Sequence, residues 1–276
     1  MRRTTRTLFA CLALSALFVA GCGDDSTDTS TPAKDDAGTS ASTTAPEKKL
    51  EGTITLSGGT SLTEALTQIG EDFSEIHPDV KVMFNFDSST TLSTQILEGA
   101  PADLFAPADE ANMKKLTDAN LISGEPKIFT RNELVIVTKP GNPEGIETLA
   151  DLAGAGVISL CGEKVPCGKY AAEALAKAGV TIDESSITRG QDVGATLTAV
   201  TDGDAVAGIV YVTDAAKAGD KVEAISIPED VNVIATYPIG VLSGSANIEV
   251  AQALMDYVLG DEGQEVLADF GFIPVS

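Results

Sequence analysis

"TITLSGGTSLTEALTQIGEDFSEIHPDVKVMFNF", residues 53–86, decides how the chain is read. Residues 53–57 alternate polar and apolar side chains, as a strand does. Leu62, Leu66, Ile69, Phe73 and Ile76 then recur at helical spacing. Ser61 and Glu64 stand three apart at the start of that pattern, the spacing of a capping box, and Pro78 ends it. "VKVMFNF" (80–86) is a second strand. The same alternation continues with a helix in "STTLSTQILEG" (89–99), a short strand in "ADLFAPA" (102–108) and a helix in "DEANMKKLTDANL" (109–121). Strand and helix in strict turn predict an α/β fold with a parallel sheet covered by helices.

Downstream the alternation loosens but persists. "ELVIVTKP" (133–140), "VISLC" (157–161), "AVAGIVYV" (205–212), "EAISIP" (223–228) and "NVIATYPIGVLSG" (232–244) read as strands. "TLADLAG" (148–154), "GKYAAEALAKAG" (168–179) and "VGATLTAVTDG" (193–203) read as helices. "IEVAQALMDYVLGDEGQEVLADFGF" (248–272) is a long helical end, broken near Gly260 and Gly263. A length of 276 residues suits one large domain or two modest ones, and the repeated βα units suggest two α/β lobes.

The N-terminus is built differently. "MRRTTR" is basic and "TLFACLALSALFVA" is apolar, but the run is too short to span a membrane and reads as an export signal, residues 1–21. "VAGC" resembles a bacterial lipobox, which would place a lipid on Cys22 and hold the protein at the outer face of the cell membrane. Residues 22–49 are rich in Ser, Thr, Asp and Pro, with no hydrophobic period. Such a segment is a solvated tether, and its flexible part of about 27 residues spans roughly 30 Å.

Charge and composition exclude several roles. The net charge is −23, and loss of the signal would remove Arg2, Arg3 and Arg6 as well. Nucleic acid is therefore a disfavoured partner. A small anion is not, because local dipoles around a buried pocket outweigh a screened distant field. Trp is absent, which argues against a sugar-stacking cleft. His77 is the only histidine and sits at an expected exposed helix end, so triad chemistry has little to build on. No GxxxxGK[ST] or GxGxxG motif is present.

Cys11 falls in the signal and Cys22 at the lipobox, which leaves Cys161 and Cys167 in "LCGEKVPCGKYAAEAL" (160–175). Zinc needs about four ligands and a thioredoxin-like pair is C-x-x-C, so neither reading fits this C-x5-C pair well. What the chain does offer is three similar turns. "SGGTSLTEAL" (57–66), "DSSTTLSTQIL" (87–97) and "VPCGKYAAEAL" (165–175) each carry a strand through small residues into a helix N-terminus. Helix N-termini present unpaired N–H groups and a positive partial charge, which suits an anion. The same Ser and Thr residues also serve as ordinary helix caps.

"GTSLTEAL" (59–66), "FDSSTTLSTQILEGAPADLFAPAD" (86–109), "VPCGKYAAEAL" (165–175), "QDVGATLTAV" (191–200), "AGIVYVTDA" (207–215) and "FGFIPV" (270–275) occur in this order. Together they resemble the molybdate-binding proteins of ABC uptake transporters, from about residue 50 to the end. Binders of sulfate and phosphate share the fold but not the full set. The resemblance implies a two-lobed periplasmic-binding-protein fold of type II, with the ligand in the inter-lobe cleft. Lobe I would comprise residues 50–130 and 237–276, and lobe II residues 131–236. It further implies a monomeric receptor that captures molybdate or tungstate for a membrane permease, uses no cofactor or free metal ion, and catalyses nothing. A sulfate or phosphate receptor, or an enzyme using Cys167, is the alternative.

Carried over, Ser61 and Ser89 resemble the two ligand serines, each offering hydroxyl and backbone N–H. Cys167 stands where the family often has Ala, and with Val193 it would donate a backbone N–H. Tyr211 resembles the tyrosine whose phenol completes the site. In this frame Cys161 and Cys167 would close a small disulfide ring that fixes the Cys167 turn. Asp87, beside the serines where the family more often has a small residue, is expected to face away, because an inward carboxylate would oppose a dianion.

Overall fold

The computed structural model describes residues 49–275. The expected signal, Cys22 and all of the tether before Lys49 lie outside the described residues. Among those described, no helix is long and apolar enough to cross a membrane.

The elements run β1 (Gly52–Gly59), α1 (Thr63–Ile76), β2 (Val80–Asp87), α2 (Ser89–Leu97), β3 (Leu104–Ala106), α3 (Glu110–Asp118) and β4 (Ile122–Thr138). They continue β5 (Ile158–Cys161), α4 (Pro166–Lys177), β6 (Ile187–Gly190), α5 (Val193–Thr201), β7 (Ala207–Tyr211), α6 (Val212–Ala218) and β8 (Glu223–Ser226). The chain ends β9 (Ile234–Leu242), α7 (Ile248–Leu259), α8 (Asp261–Asp269) and β10 (Ile273–Pro274).

Strand order is β2-β1-β3-β9-β4-β7-β5-β6. The βα units form two parallel sets, each with helices as the crossover connections that parallel strands need. In one, β1 pairs in parallel with β2 and β3; in the other, β5 pairs in parallel with β6 and β7. Two antiparallel strands join the sets, so the sheet is mixed rather than purely parallel. β9 runs antiparallel to β3, and β4 runs antiparallel to β9 as far as Glu133 and then to β7 and β8 from Leu134 onward. One long strand therefore belongs to both halves. Its first half, with Gly124 and Pro126, lacks the alternation of a strand and keeps its pairing through two irregularities of register.

The helices pack largely as their periodicity demands, although Ile76, at the last turn of α1, is exposed. Leu66, Ile69 and Phe73 of α1 are buried with Ile54 and Leu56 of β1. The Ser61–Glu64 pair, however, is not a capping box. Residues Thr60–Leu62 form a separate 3-10 turn, and α1 starts behind Leu62 with no side-chain cap. Ser61 and Glu64 point their polar groups elsewhere, as described below. β6, α6 and β10 carry too short a pattern to be read in sequence.

The carboxyl ends of β1, β2, β5, β6 and β7 each give way to a helical turn within a few residues. That is where open α/β sheets place ligands.

Candidate ligand-binding site

Three helices begin at one place. At α2, Ser88 is the N-cap, and its Oγ accepts the Thr91 N–H at 3.2 Å. At α5, Asp192 is the N-cap, and its Oδ1 accepts the Ala195 N–H at 2.8 Å. At α4, Pro166 occupies the first turn, where its missing N–H removes no helical bond. In each helix the cap or proline settles one position and leaves neighbouring first-turn N–H groups without an intrahelical acceptor. Those groups belong to Ser89, Cys167 and Val193.

These three residues, together with Ser61 and Tyr211, line a single cavity. Its other walls are Gly59, Thr60, Ser88, Ala108, Val165, Pro166 and Asp192. The sequence reading did not include these. Thr60 and Ser88 flank the chosen serines, but Asp192 and Ala108 carry no local signal of a pocket. The cavity holds about 20 Å³. One water needs roughly 10–15 Å³, so the space suits one compact solute.

The two serines are held differently. Ser89 Oγ accepts the Ala108 N–H at 2.9 Å, which leaves its own proton to donate. Ser61 Oγ lies 3.1 Å from the Tyr237 hydroxyl. Tyr237 is fully buried and packs edge-on against Tyr211, Phe129 and Phe272, with Tyr211 at 6.0 Å between centroids. Tyr237, far along the chain on β9, is thus the support of the first serine.

Tyr211 is 1% exposed, yet its hydroxyl has no hydrogen-bond partner, and neither does the buried Thr60 Oγ1. A buried hydroxyl without a partner is costly unless a ligand satisfies it. Burial above all, then the neighbouring Tyr237, raises the Tyr211 pKa well above its ordinary value. The phenol therefore stays protonated and can donate.

No Lys or Arg lines the cavity. The one ionisable acid there, Asp192, has Oδ1 committed to its helix cap. Asp87 is not part of the wall; its Oδ1 accepts the Ser88 N–H at 2.5 Å. His77 lies outside the cavity, half-buried rather than exposed, with its ring 4.6 Å from that of Phe73. The set is rich in neutral donors, which suits an anion that only accepts hydrogen bonds. Among the described residues no group of three or more His, Cys, Asp and Glu could hold a metal ion.

Cys161 and Cys167 are joined in a disulfide, with Cα atoms 5.8 Å apart. The ring includes Val165 and Pro166 of the cavity wall, and Cys161 Sγ accepts from Thr196 Oγ1 at 3.2 Å. Gly168 follows Cys167 because nothing larger fits; a Cβ there would stand 2.0 Å from the Gly162 carbonyl oxygen. Further contacts tie the α2–α3 side of the cavity to the α4 side. Thr90 Oγ1 donates to the Lys164 carbonyl at 3.0 Å, and Lys169 Nζ pairs with the buried Asp109 at 3.0 Å.

Residues 54–273 match the bacterial extracellular solute-binding protein family. This chain belongs to that family. Over 267 residues it is 36% identical to the molybdate-binding protein ModA of Mycobacterium tuberculosis, covering 94% of this chain and 95% of that one. The periplasmic molybdate-binding protein of Azotobacter vinelandii has the same fold, with a TM-score of 0.73 at 20% identity, over 81% of this chain and 100% of that one. So does the sulfate-binding protein SubI from M. tuberculosis, with a TM-score of 0.72 at 20% identity, over 81% of this chain and 87% of that one. The protein is thus an α/β solute-binding protein of the periplasmic-binding type, and the relatives named are binding proteins rather than enzymes.

Proposed function

We propose that this protein captures molybdate, and tungstate with it, outside the cytoplasm and hands it to the permease of an ABC transporter. The observation that carries the reading is the buried, unpartnered Tyr211 hydroxyl on a small cavity whose other polar groups are mainly neutral donors. The oxyanion would accept from the Ser61 and Ser89 hydroxyls and N–H groups, the Cys167 and Val193 N–H groups, and the Tyr211 phenol. Molybdate is fully ionised at neutral pH and needs only donors. The 36% identical relative is named for the same anion.

Residues 50–130 with 237–276 would form one lobe and residues 131–236 the other, with the anion between them. The passage of β4 from one strand set to the other near Glu133 supports that division. The same reading gives a monomer anchored through Cys22, with no catalysis and no cofactor.

Phosphate is the rival, and Asp192 on the cavity wall is the observation in its favour, since phosphate at pH 7 keeps a proton that needs an acceptor. Its Oδ1 is already taken by Ala195. The test is the melting temperature of the purified protein with molybdate, tungstate, sulfate and phosphate in turn. A ligand at 100 times its dissociation constant adds about 2.7 kcal/mol. Stabilisation by molybdate and tungstate is expected; stabilisation by sulfate or phosphate alone would reassign the substrate.

A further inference from the structure

Behind the anion cavity lies a second one. Thr60 and Ser61 form a wall common to both. The second cavity is lined as well by Glu64, Asp214, Lys217 and Phe272, and is again about 20 Å³. Asp214 sits three residues after Tyr211, in the first turn of α6. It is 5% exposed, and its Oδ2 has no hydrogen-bond partner. The binding site described above makes no use of it.

Six groups face this carboxyl. The Tyr211 backbone N–H and Lys217 favour its charge, whereas Asp192 and Glu64 oppose it; the other two are the Tyr211 and Tyr237 phenols, which respond to its charge. Lys217 divides its charge, because its ammonium also pairs with Glu64 at 3.1 Å. Burial outweighs all of these and pushes the Asp214 pKa up to about 7. Filling the neighbouring cavity would bring two more negative charges close to Tyr211, in an interior that screens them poorly. Like charge nearby favours the neutral acid.

We propose that Asp214 takes up one proton from solvent when the cavity fills with its dianion, so that the receptor captures anion and proton together. The proposal rests on the dianion reading of the cavity. Its sign follows from linkage. Below the free protein's pKa the carboxyl is protonated with or without ligand, and affinity is level. Between that pKa and the higher one of the complex, binding consumes a proton, so affinity falls about tenfold per pH unit. The partnership is reciprocal, and deprotonation of Asp214 would promote release.

Calorimetric titration with molybdate in two buffers of different ionisation enthalpy counts the protons. At pH 8 the purified protein should take up about half a proton or more per anion, and near zero at pH 6. Asp214→Asn, which imitates the neutral acid, should bind with level affinity across this range and take up none. An infrared difference spectrum at pH 8 needs no variant, and should gain a protonated-carboxyl band on molybdate addition. Saturable binding with identical heats in both buffers at pH 8 would overturn the proposal, as would full proton uptake in Asp214→Asn or absence of the infrared band. Failure of molybdate to bind at all would instead remove the anion reading beneath it.

Discussion

Ser61 Oγ and the Tyr237 hydroxyl meet at 3.1 Å, although 176 positions separate them in the chain. The contact ties the first βα turn to the strand that returns between β3 and β4. Tyr237→Phe should free the serine to rotate and weaken molybdate binding by roughly threefold to tenfold, the net effect of one neutral hydrogen bond. Ser61→Ala removes the donor itself and should cost about 1–3 kcal/mol of binding, as hydrogen bonds to charged groups do. Calorimetry compares the two, and unchanged affinity in both variants would take Ser61 out of the site.

Ser89 does two jobs, so its loss should be felt twice. Ser89→Ala removes a hydroxyl from the cavity and strands the Ala108 N–H, which now donates to it at 2.9 Å. An orphaned buried donor costs about 1–3 kcal/mol. Urea unfolding without ligand should show that loss, and calorimetry should show weaker binding. A variant that loses affinity but keeps full stability would mean that Ala108 does not depend on Ser89.

Tyr211 should behave in the opposite way. Its hydroxyl is buried and unpartnered, so Tyr211→Phe removes an unsatisfied group from the ligand-free protein. The melting temperature without ligand should hold or rise, while molybdate affinity falls by about 1–3 kcal/mol. Loss of stability with affinity intact would place the phenol in the core alone.

Much of this was legible in residues 53–121 because each helix and strand there carries its own hydrophobic period. β4 was legible only from Glu133, because "ISGEPKIFTR" before it owes its strand geometry to β9 rather than to its own pattern. β6, with only "ITRG", was too short to show. The site divides similarly. Ser61, Ser89, Cys167, Val193 and Tyr211 were named through resemblance and come to one cavity. Two of them, Cys167 and Val193, offer only backbone groups, which leave no side-chain mark. Ser61 does not cap α1 because Thr60–Leu62 form a separate 3-10 turn; its hydroxyl meets Tyr237 instead, and no local pattern encodes a partner so distant.

The disulfide should act through geometry rather than chemistry. Its ring carries Val165 and Pro166 on the cavity wall and sets the start of α4. In the chain-entropy account so short a ring contributes about 2 kcal/mol. Reduction, confirmed by thiol titration, should lower the melting temperature and loosen molybdate binding without abolishing it. Identical affinity before and after would make the bridge a bystander to binding.

Everything above turns on molybdate sitting in this one cavity. Crystals of the protein grown with molybdate, measured at the molybdenum absorption edge, test it directly. One anomalous peak per chain is expected, enclosed by Ser61, Ser89, Cys167, Val193 and Tyr211, with oxygens within hydrogen-bonding reach of all five. A peak elsewhere, or an empty cavity in crystals saturated with molybdate, would contradict it.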